Sequence, residues 1–346
     1  MSAQRIDTLG MWDAFAGLPD QVEAAVAAAQ AVDGLPDPKG ITNVLVLGMG
    51  GSGIAGDFLT VTAGPFMSLP VVVVKNYTTP SYVSESTLVM AVSASGNTAE
   101  TVEATITAAS LGGQVVAVTG GGRLGELARG WGAPVVPVDA SIPMPRAGLG
   151  AVAIPPLVVL ERMGFFPGAG EWIGLAVEQL RRRGAELTGP ASPALDLARR
   201  IGRTLPIIYG GGGTGDVAAR RWKTQINENA KVPAFSNTVP ELCHNEVVGW
   251  GQHGDVTRQV FSLVFLRHDD EHPAVGETFA VLSEMIGEVV SDIHEVEAGG
   301  DGVIAQVLDM MMFGDAVSLE MAGLEGIDPG PIPAIAELKS RLEGLV

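Results

Sequence analysis

Glu228 and His244 are two residues of this 346-residue chain whose types and surroundings suit acid–base chemistry. Glu228 lies in Arg221-Trp222-Lys223-Thr224-Gln225-Ile226-Asn227-Glu228-Asn229-Ala230-Lys231-Val232-Pro233. That segment reads as a helix that must stop before Pro233, because the residue preceding a proline is pushed out of the α region. Glu228 then falls in the last turn, where a carboxylate opposes the negative end of the helix dipole at a cost of some tenths to about 1 kcal/mol. A general base working near neutrality wants such surroundings. A solvated surface glutamate is the plainer account. His244 stands in Val239-Pro240-Glu241-Leu242-Cys243-His244-Asn245-Glu246, polar residues bunched in a loop after a helix, which reads more as a site than as core.

Lys339 is placed by geometry. At about 100° per residue along a closing helix, Ile332, Ile335, Ala336, Leu338, Leu342 and Leu345 cover one broad face, and Lys339 falls near its middle. The expectation is an inward ammonium, with a snorkelling lysine as the bland alternative. Hydroxyls gather in Ser93-Ala94-Ser95-Gly96-Asn97-Thr98-Ala99-Glu100-Thr101, where Asn97 or Thr98 would cap a helix. Capping explains any one of them. Four hydroxyl residues around one glycine, at the C-terminal end of a parallel strand, point instead to a ligand. Two rivals are weaker. His268-Asp269-Asp270-Glu271-His272 has metal-ligand types but reads as a solvated turn after a strand, and Cys243 is poorly placed as a nucleophile because side chains adjacent in sequence diverge.

The elements that must position these groups follow an α/β pattern. Residues 44–47 form an apolar strand that runs into Gly48-Met49-Gly50-Gly51-Ser52-Gly53, an anion-accommodating turn, with a helix expected from about Ile54 to Val61. Gly48, Gly50 and Gly53 match the GxGxxG spacing of dinucleotide folds. A nicotinamide enzyme would also need an acidic residue ending the second strand, but residues 71–74 lead into Lys75-Asn76. Further strands are expected at 88–92, 115–119 and 135–138. Residues 206–216 then repeat the opening, an apolar strand followed by four glycines, Thr214, Gly215 and Asp216, which implies duplication. Strands at 259–266 and 293–296, with helices around 275–292 and 301–324, complete a second parallel sheet. Helices at 11–33 precede the first sheet, and a helical connection bearing Arg146 in Pro145-Arg146-Ala147 joins the two halves.

Formal net charge is −18, from 39 acids against 21 bases, a surface that repels nucleic acid. It also repels a phosphorylated metabolite at long range, so a phosphate site must be made locally from amides, hydroxyls and one or two cations. No run of 18 apolar residues suggests a membrane span. The first twenty residues lack a secretory pattern, and the single cysteine excludes an internal disulfide, so a cytoplasmic protein is expected.

Together these stretches resemble the bifunctional phosphoglucose/phosphomannose isomerase family, built from two SIS (sugar isomerase) domains, over nearly the whole chain. The resemblance implies two doubly wound parallel-sheet subdomains related by duplication. They would be a helical segment at 1–40, SIS domains at 41–145 and 196–328 joined by a helical connection at 146–195, and a C-terminal helix at 329–346. It implies that Gly51, Ser52, Ser93, Ser95 and Thr98 hold a sugar phosphate. Glu228 would be the base that moves a proton between C1 and C2 through a cis-enediol, Arg146 would stabilise the enediolate oxygen, and His244 with Lys339 would open the ring. It further implies a homodimer with His244 contributed across the interface, a hexose 6-phosphate substrate, and no metal or nicotinamide cofactor. Three departures stand out: Ala94 replaces a common aromatic residue, Cys243 replaces a more usual polar one, and Gly330 stands where the family often has threonine. The lost hydroxyl bears on the second epimer, mannose 6-phosphate. The alternative is a non-catalytic sugar-phosphate sensor on the same fold, which would not need the base, the histidine and the lysine together.

Overall fold

A computed structural model describes residues 6–343. Leu345, and the expected helix end at Gly344, lie outside the described residues. The first half runs α1 (Met11–Ala16), α2 (Leu18–Gln30), β1 (Asn43–Leu47), α3 (Gly50–Thr62), β2 (Val71–Val74), β3 (Thr87–Ser93), α4 (Ala99–Ser110), β4 (Gln114–Thr119), α5 (Gly122–Gly130) and β5 (Val135–Pro137). A connection follows, made of α6 (Leu149–Arg162), α7 (Ala169–Thr188) and α8 (Pro193–Ile201). The second half contains β6 (Leu205–Gly211), α9 (Gly212–Gln225), β7 (Phe235–Val239), α10 (Gly254–Val260), β8 (Phe261–Arg267), α11 (Pro273–Ile286), β9 (Ile293–Glu297), α12 (Val303–Leu324) and α13 (Pro333–Glu343).

Both sheets are parallel throughout their described pairs, in the orders β2-β1-β3-β4-β5 and β7-β6-β8-β9. The first four strands of each half share one topology, as duplication requires. Strands covered on both faces must be apolar at every position. Val44 and Val46 of β1 enter the central core, whereas Leu45 and Leu47 enter a second cluster under α4. Tyr209 of β6 likewise faces an outer core with Phe265 and Phe279, while Ile208 faces the centre.

The central core is organised around α12, whose residues 303–322 are all buried. Its buried carboxylates need cations. Asp309 accepts from Arg183 Nε and Nη2, each at 2.8 Å, and Asp315 accepts from Arg221 Nε at 2.9 Å and Nη2 at 2.5 Å. Burial pushes the Asp315 carboxyl up, with Arg221 the chief opposing influence.

Three expected boundaries shift. The helix after β1 starts inside the glycine run, at Gly50. Residues 259 and 260 end α10 and do not open β8, and α11 stops at Ile286 before a short turn at Gly287–Val289. Among the described residues no helix is long and apolar enough to cross a membrane.

Candidate active site

Arg146 is only 3% exposed, on the one-turn helix Pro145–Ala147 that links the first sheet to α6. Its guanidinium is placed by acceptors from two distant segments, residues 228–229 and 329–330. Nε donates to Asn229 Oδ1 at 2.8 Å, Nη2 donates to the carbonyls of Pro329 at 2.6 Å and Gly330 at 2.8 Å, and Nη1 meets Glu228 Oε2 at 3.3 Å. A guanidinium has five N–H donors. Four are engaged here, which leaves one on Nη1 beside Glu228. Burial pulls the group below its ordinary value, with Glu228 opposing and Arg221 adding to the fall. It stays a cation, since arginine starts so high.

Glu228 is delivered by α9, which widens into a π-turn at Ile226–Ala230. Such turns are local insertions that re-aim a side chain and cluster at functional sites. The chain leaves it through Lys231, the sole non-glycine residue at positive φ (60°) among the described residues. Lys231 Nζ donates to the carbonyl of Glu228 and, at 3.2 Å, to that of Pro329. Asn229 is held in turn by Ser318 of α12, at 2.9 Å. Arg221 joins the layers by donating to the carbonyl of Arg146 at 3.0 Å while paired with Asp315.

Gly51 explains part of the glycine turn. A Cβ there would lie 2.8 Å from the Arg146 nitrogen and 3.0 Å from its Cα. A bare α-carbon lets the arginine turn pack directly on α3. The cleft so formed, about 250 Å³, is lined by Gly50, Gly51, Asp57, Lys75, Arg220 and Glu228 among others. Asp57 of α3 is buried and bonds to Lys75, and Arg220 of α9 reaches it at 3.5 Å across the two halves. A larger groove of about 700 Å³ lies between α4 and α5, where β4 begins. It has Arg123 as its one ionisable lining residue, and it sits at the wrong end of the strands for a ligand of an open α/β sheet.

The hydroxyl loop is tightly built. Ser93 Oγ lies 3.0 Å from Thr98 Oγ1 and accepts from the Gly96 N–H at 3.1 Å. Ser52 Oγ accepts from the Ala94 N–H at 3.0 Å, which joins the glycine turn to this loop. Ser95 is exposed, and it opens onto a neighbouring cleft of about 260 Å³ shared with Pro145. Gly96 has φ 69°, and a Cβ there would fall 1.8 Å from the Gly121 carbonyl oxygen, so the loop admits only glycine. Thr98 takes the N-cap position of α4 without capping by its side chain.

The structure thus brings Arg146, Glu228, Gly51, Ser52 and the 93–98 loop into one region. His244 does not join them within this chain. It is exposed at the end of the short helix Glu241–His244. Lys339 is also exposed, as is every described side chain of α13 from Pro333 to Leu342. The helical wheel places an apolar stripe on this helix, but Ile335, Leu338 and Leu342 are left exposed among the described residues, so the inward ammonium is not realised here. Gly330 has Leu9 beside it, with a Cβ position 2.8 Å from Leu9 Cγ. Sequence reasoning did not single out Asn229, Arg221 or Asp315. An acid inside a long, mostly apolar helix was the available signal for Asp315.

The second half lacks the hydroxyl loop. After β8 comes His268-Asp269-Asp270-Glu271, with His268 Nε2 2.8 Å from the Gly211 carbonyl and Glu271 paired with Arg267. His268 is half-buried and the Glu271 side chain is only 6% exposed, so the expected solvated turn is only partly that. Among the described residues no group of three His, Cys, Asp or Glu is arranged to hold a metal ion.

Two parallel sheets of one topology make this a duplicated α/β protein, with a carboxylate, a buried arginine and a hydroxyl-rich loop gathered between its halves. The SIS domain profile matches residues 41–127, and that of the bacterial phospho-glucose isomerase C-terminal SIS domain matches residues 191–342. The sequence is 34% identical over 336 residues to a bifunctional phosphoglucose/phosphomannose isomerase of Caldicellulosiruptor bescii, covering 96% of this chain and 98% of that one. It is 32% identical over 303 residues to one from Thermoplasma acidophilum, covering 87% and 90%. The fold resembles the C-terminal domain of glucosamine-fructose-6-phosphate aminotransferase from Francisella tularensis, with TM-score 0.69, 15% identity and coverage of 93% and 97%. The chain belongs to the bifunctional phosphoglucose/phosphomannose isomerase family.

Proposed function

We propose that this protein interconverts glucose 6-phosphate and fructose 6-phosphate, with mannose 6-phosphate as a second aldose, through a metal-free cis-enediol. The observation that carries this reading is the pairing of Glu228 with buried Arg146 at 3.3 Å, at a cleft lined by both halves. Ser52, Ser93, Ser95 and Thr98, with the backbone at Gly51, hold the phosphate. His244 moves a proton at the ring oxygen to open the sugar. Glu228 takes the C2 proton as the C2–H electron pair forms the C1–C2 double bond and charge moves onto O1. The unengaged N–H of Arg146 stabilises that charge in the manner of an oxyanion hole. Return of the proton from Glu228 to C1, with the O2 proton passing to O1, gives the ketose.

His244 belongs to a partner subunit's site in this reading, which its exposure supports. Docking of the uncovered α13 stripe would bring Lys339 to assist it. Purified protein assayed with a chelator should convert fructose 6-phosphate to glucose 6-phosphate. Folded protein that turns over no hexose 6-phosphate would refute the reading.

A further inference from the structure

His244 is exposed, yet the chain on either side of it is fixed. Two residues before it, Leu242 is fully buried in the outer core with Tyr209, Phe265 and Phe279. Two residues after it, Glu246 has both carboxylate oxygens engaged. Tyr209 Oη donates to Oε1, and Asn237 Nδ2 donates to Oε2 at 2.7 Å. Tyr209 and Asn237 are register partners on the parallel strands β6 and β7, so they stand side by side on one sheet face. Asn245 closes the arrangement, its Oδ1 accepting from the Glu246 N–H at 2.6 Å and its Nδ2 donating to Glu241 Oε1 at 3.1 Å. Burial first, and Glu246 second, push the Tyr209 phenol above its ordinary value, so it stays a donor at neutral pH.

We propose that Glu246 is a positioning residue, which Tyr209 and Asn237 hold so that it fixes where the His244 imidazole is presented. The proposal rests on the reading of His244 as the ring-opening group. Hydrogen bonds to an ionised carboxylate are about twice as strong as neutral ones. Two of them, from adjacent strands, turn an otherwise exposed loop into a rigid mount. The need is clear, since a displacement of about 1 Å can cost about a hundredfold in rate.

The test uses Tyr209→Phe, Glu246→Gln and their combination, assayed on glucose 6-phosphate and its C2-deuterated form. Each single variant should lose about ten- to a hundredfold in kcat, with KM within about twofold. The isotope effect on kcat should drop below that of the unmodified enzyme, because ring opening becomes the slow step. The double variant should fall little below the worse single one, since both break the same contact. A merely structural role would reduce the active fraction and leave the isotope effect unchanged, and that result overturns the proposal. So do variants with unaltered kcat. If His244→Ala is slow while Tyr209→Phe and Glu246→Gln are not, this inference alone falls; if His244→Ala is also fast, the reading of His244 falls with it. Should Glu246→Gln not fold, Tyr209→Phe decides, because it removes one hydroxyl and keeps the ring.

Discussion

At the residue scale the site is a problem of satisfying one buried cation. Arg146 is tolerated because two backbone carbonyls, an amide oxygen and a carboxylate surround it. The approach that makes this possible depends on Gly51, whose missing side chain lets the arginine turn sit against α3. Gly51→Ala should destabilise the protein by about 1–3 kcal/mol, because backbone atoms cannot yield to the added methyl. Helix propensity alone would favour alanine by up to about 1 kcal/mol, so urea unfolding gives the sign. Stabilisation would contradict the contact. The sequence expects the glycine turn to face a ligand, and Gly50 and Gly51 line the cleft. That one of its glycines serves a neighbouring backbone was not legible, since the partner lies 95 residues away in sequence and only the fold brings it near.

At the scale of elements, α9 shows what local rules can and cannot tell. Pro233 announced that the helix ends near Glu228. The π-turn that re-aims the carboxylate needed the tertiary ties of Asn229 to Ser318 and of Lys231 to Pro329, which no local pattern encodes. The reverse holds for α13, where periodicity revealed an apolar stripe but not whether a partner covers it. A further tie fastens the segment before α13. Asp328 accepts from Thr8 Oγ1 at 2.5 Å and from the Gly330 N–H at 3.1 Å, next to the carbonyls that hold Arg146. Burial raises the Asp328 carboxyl, but the hydrogen bonds from Thr8 and Gly330, with Lys231 nearby, outweigh it and hold the group below its usual value. A depressed folded value means stabilisation that is complete above the unfolded value, about 3.9, and is lost as pH falls through the folded one. Asp328→Asn should therefore lower Tm at pH 7, and the gap should narrow as pH falls below the unfolded value of about 3.9. A gap independent of pH would show that the carboxylate's charge is not what matters.

At the scale of the whole molecule, duplication has been followed by division of labour. In the proposed mechanism the first half would supply the hydroxyl loop, the connection after it Arg146, and the second half Glu228 and His244. Five of the 21 basic residues (Lys75, Arg146, Arg220, Arg221 and Lys223) line one cleft of a chain whose net charge is −18. Composition alone could not say where such a concentration of cations would lie. If His244 acts across a subunit interface, mixing the inactive variants Glu228→Gln and His244→Ala under exchange should restore activity. Half the dimers would then be mixed, each with one intact site, so recovery should approach about a quarter of the unmodified rate. No recovery would place the histidine in its own subunit's site.

The central claim is that Glu228 moves a proton between C1 and C2. It is tested most directly by running fructose 6-phosphate to glucose 6-phosphate in deuterated water with a chelator present and measuring label at C2. The account predicts deuterium at C2 with the unmodified enzyme. With Glu228→Gln it predicts a fall of about 10²–10⁴-fold in turnover, while a hexose phosphate still raises Tm. A Glu228→Gln variant of undiminished rate, in protein that still binds the hexose phosphate, would contradict it.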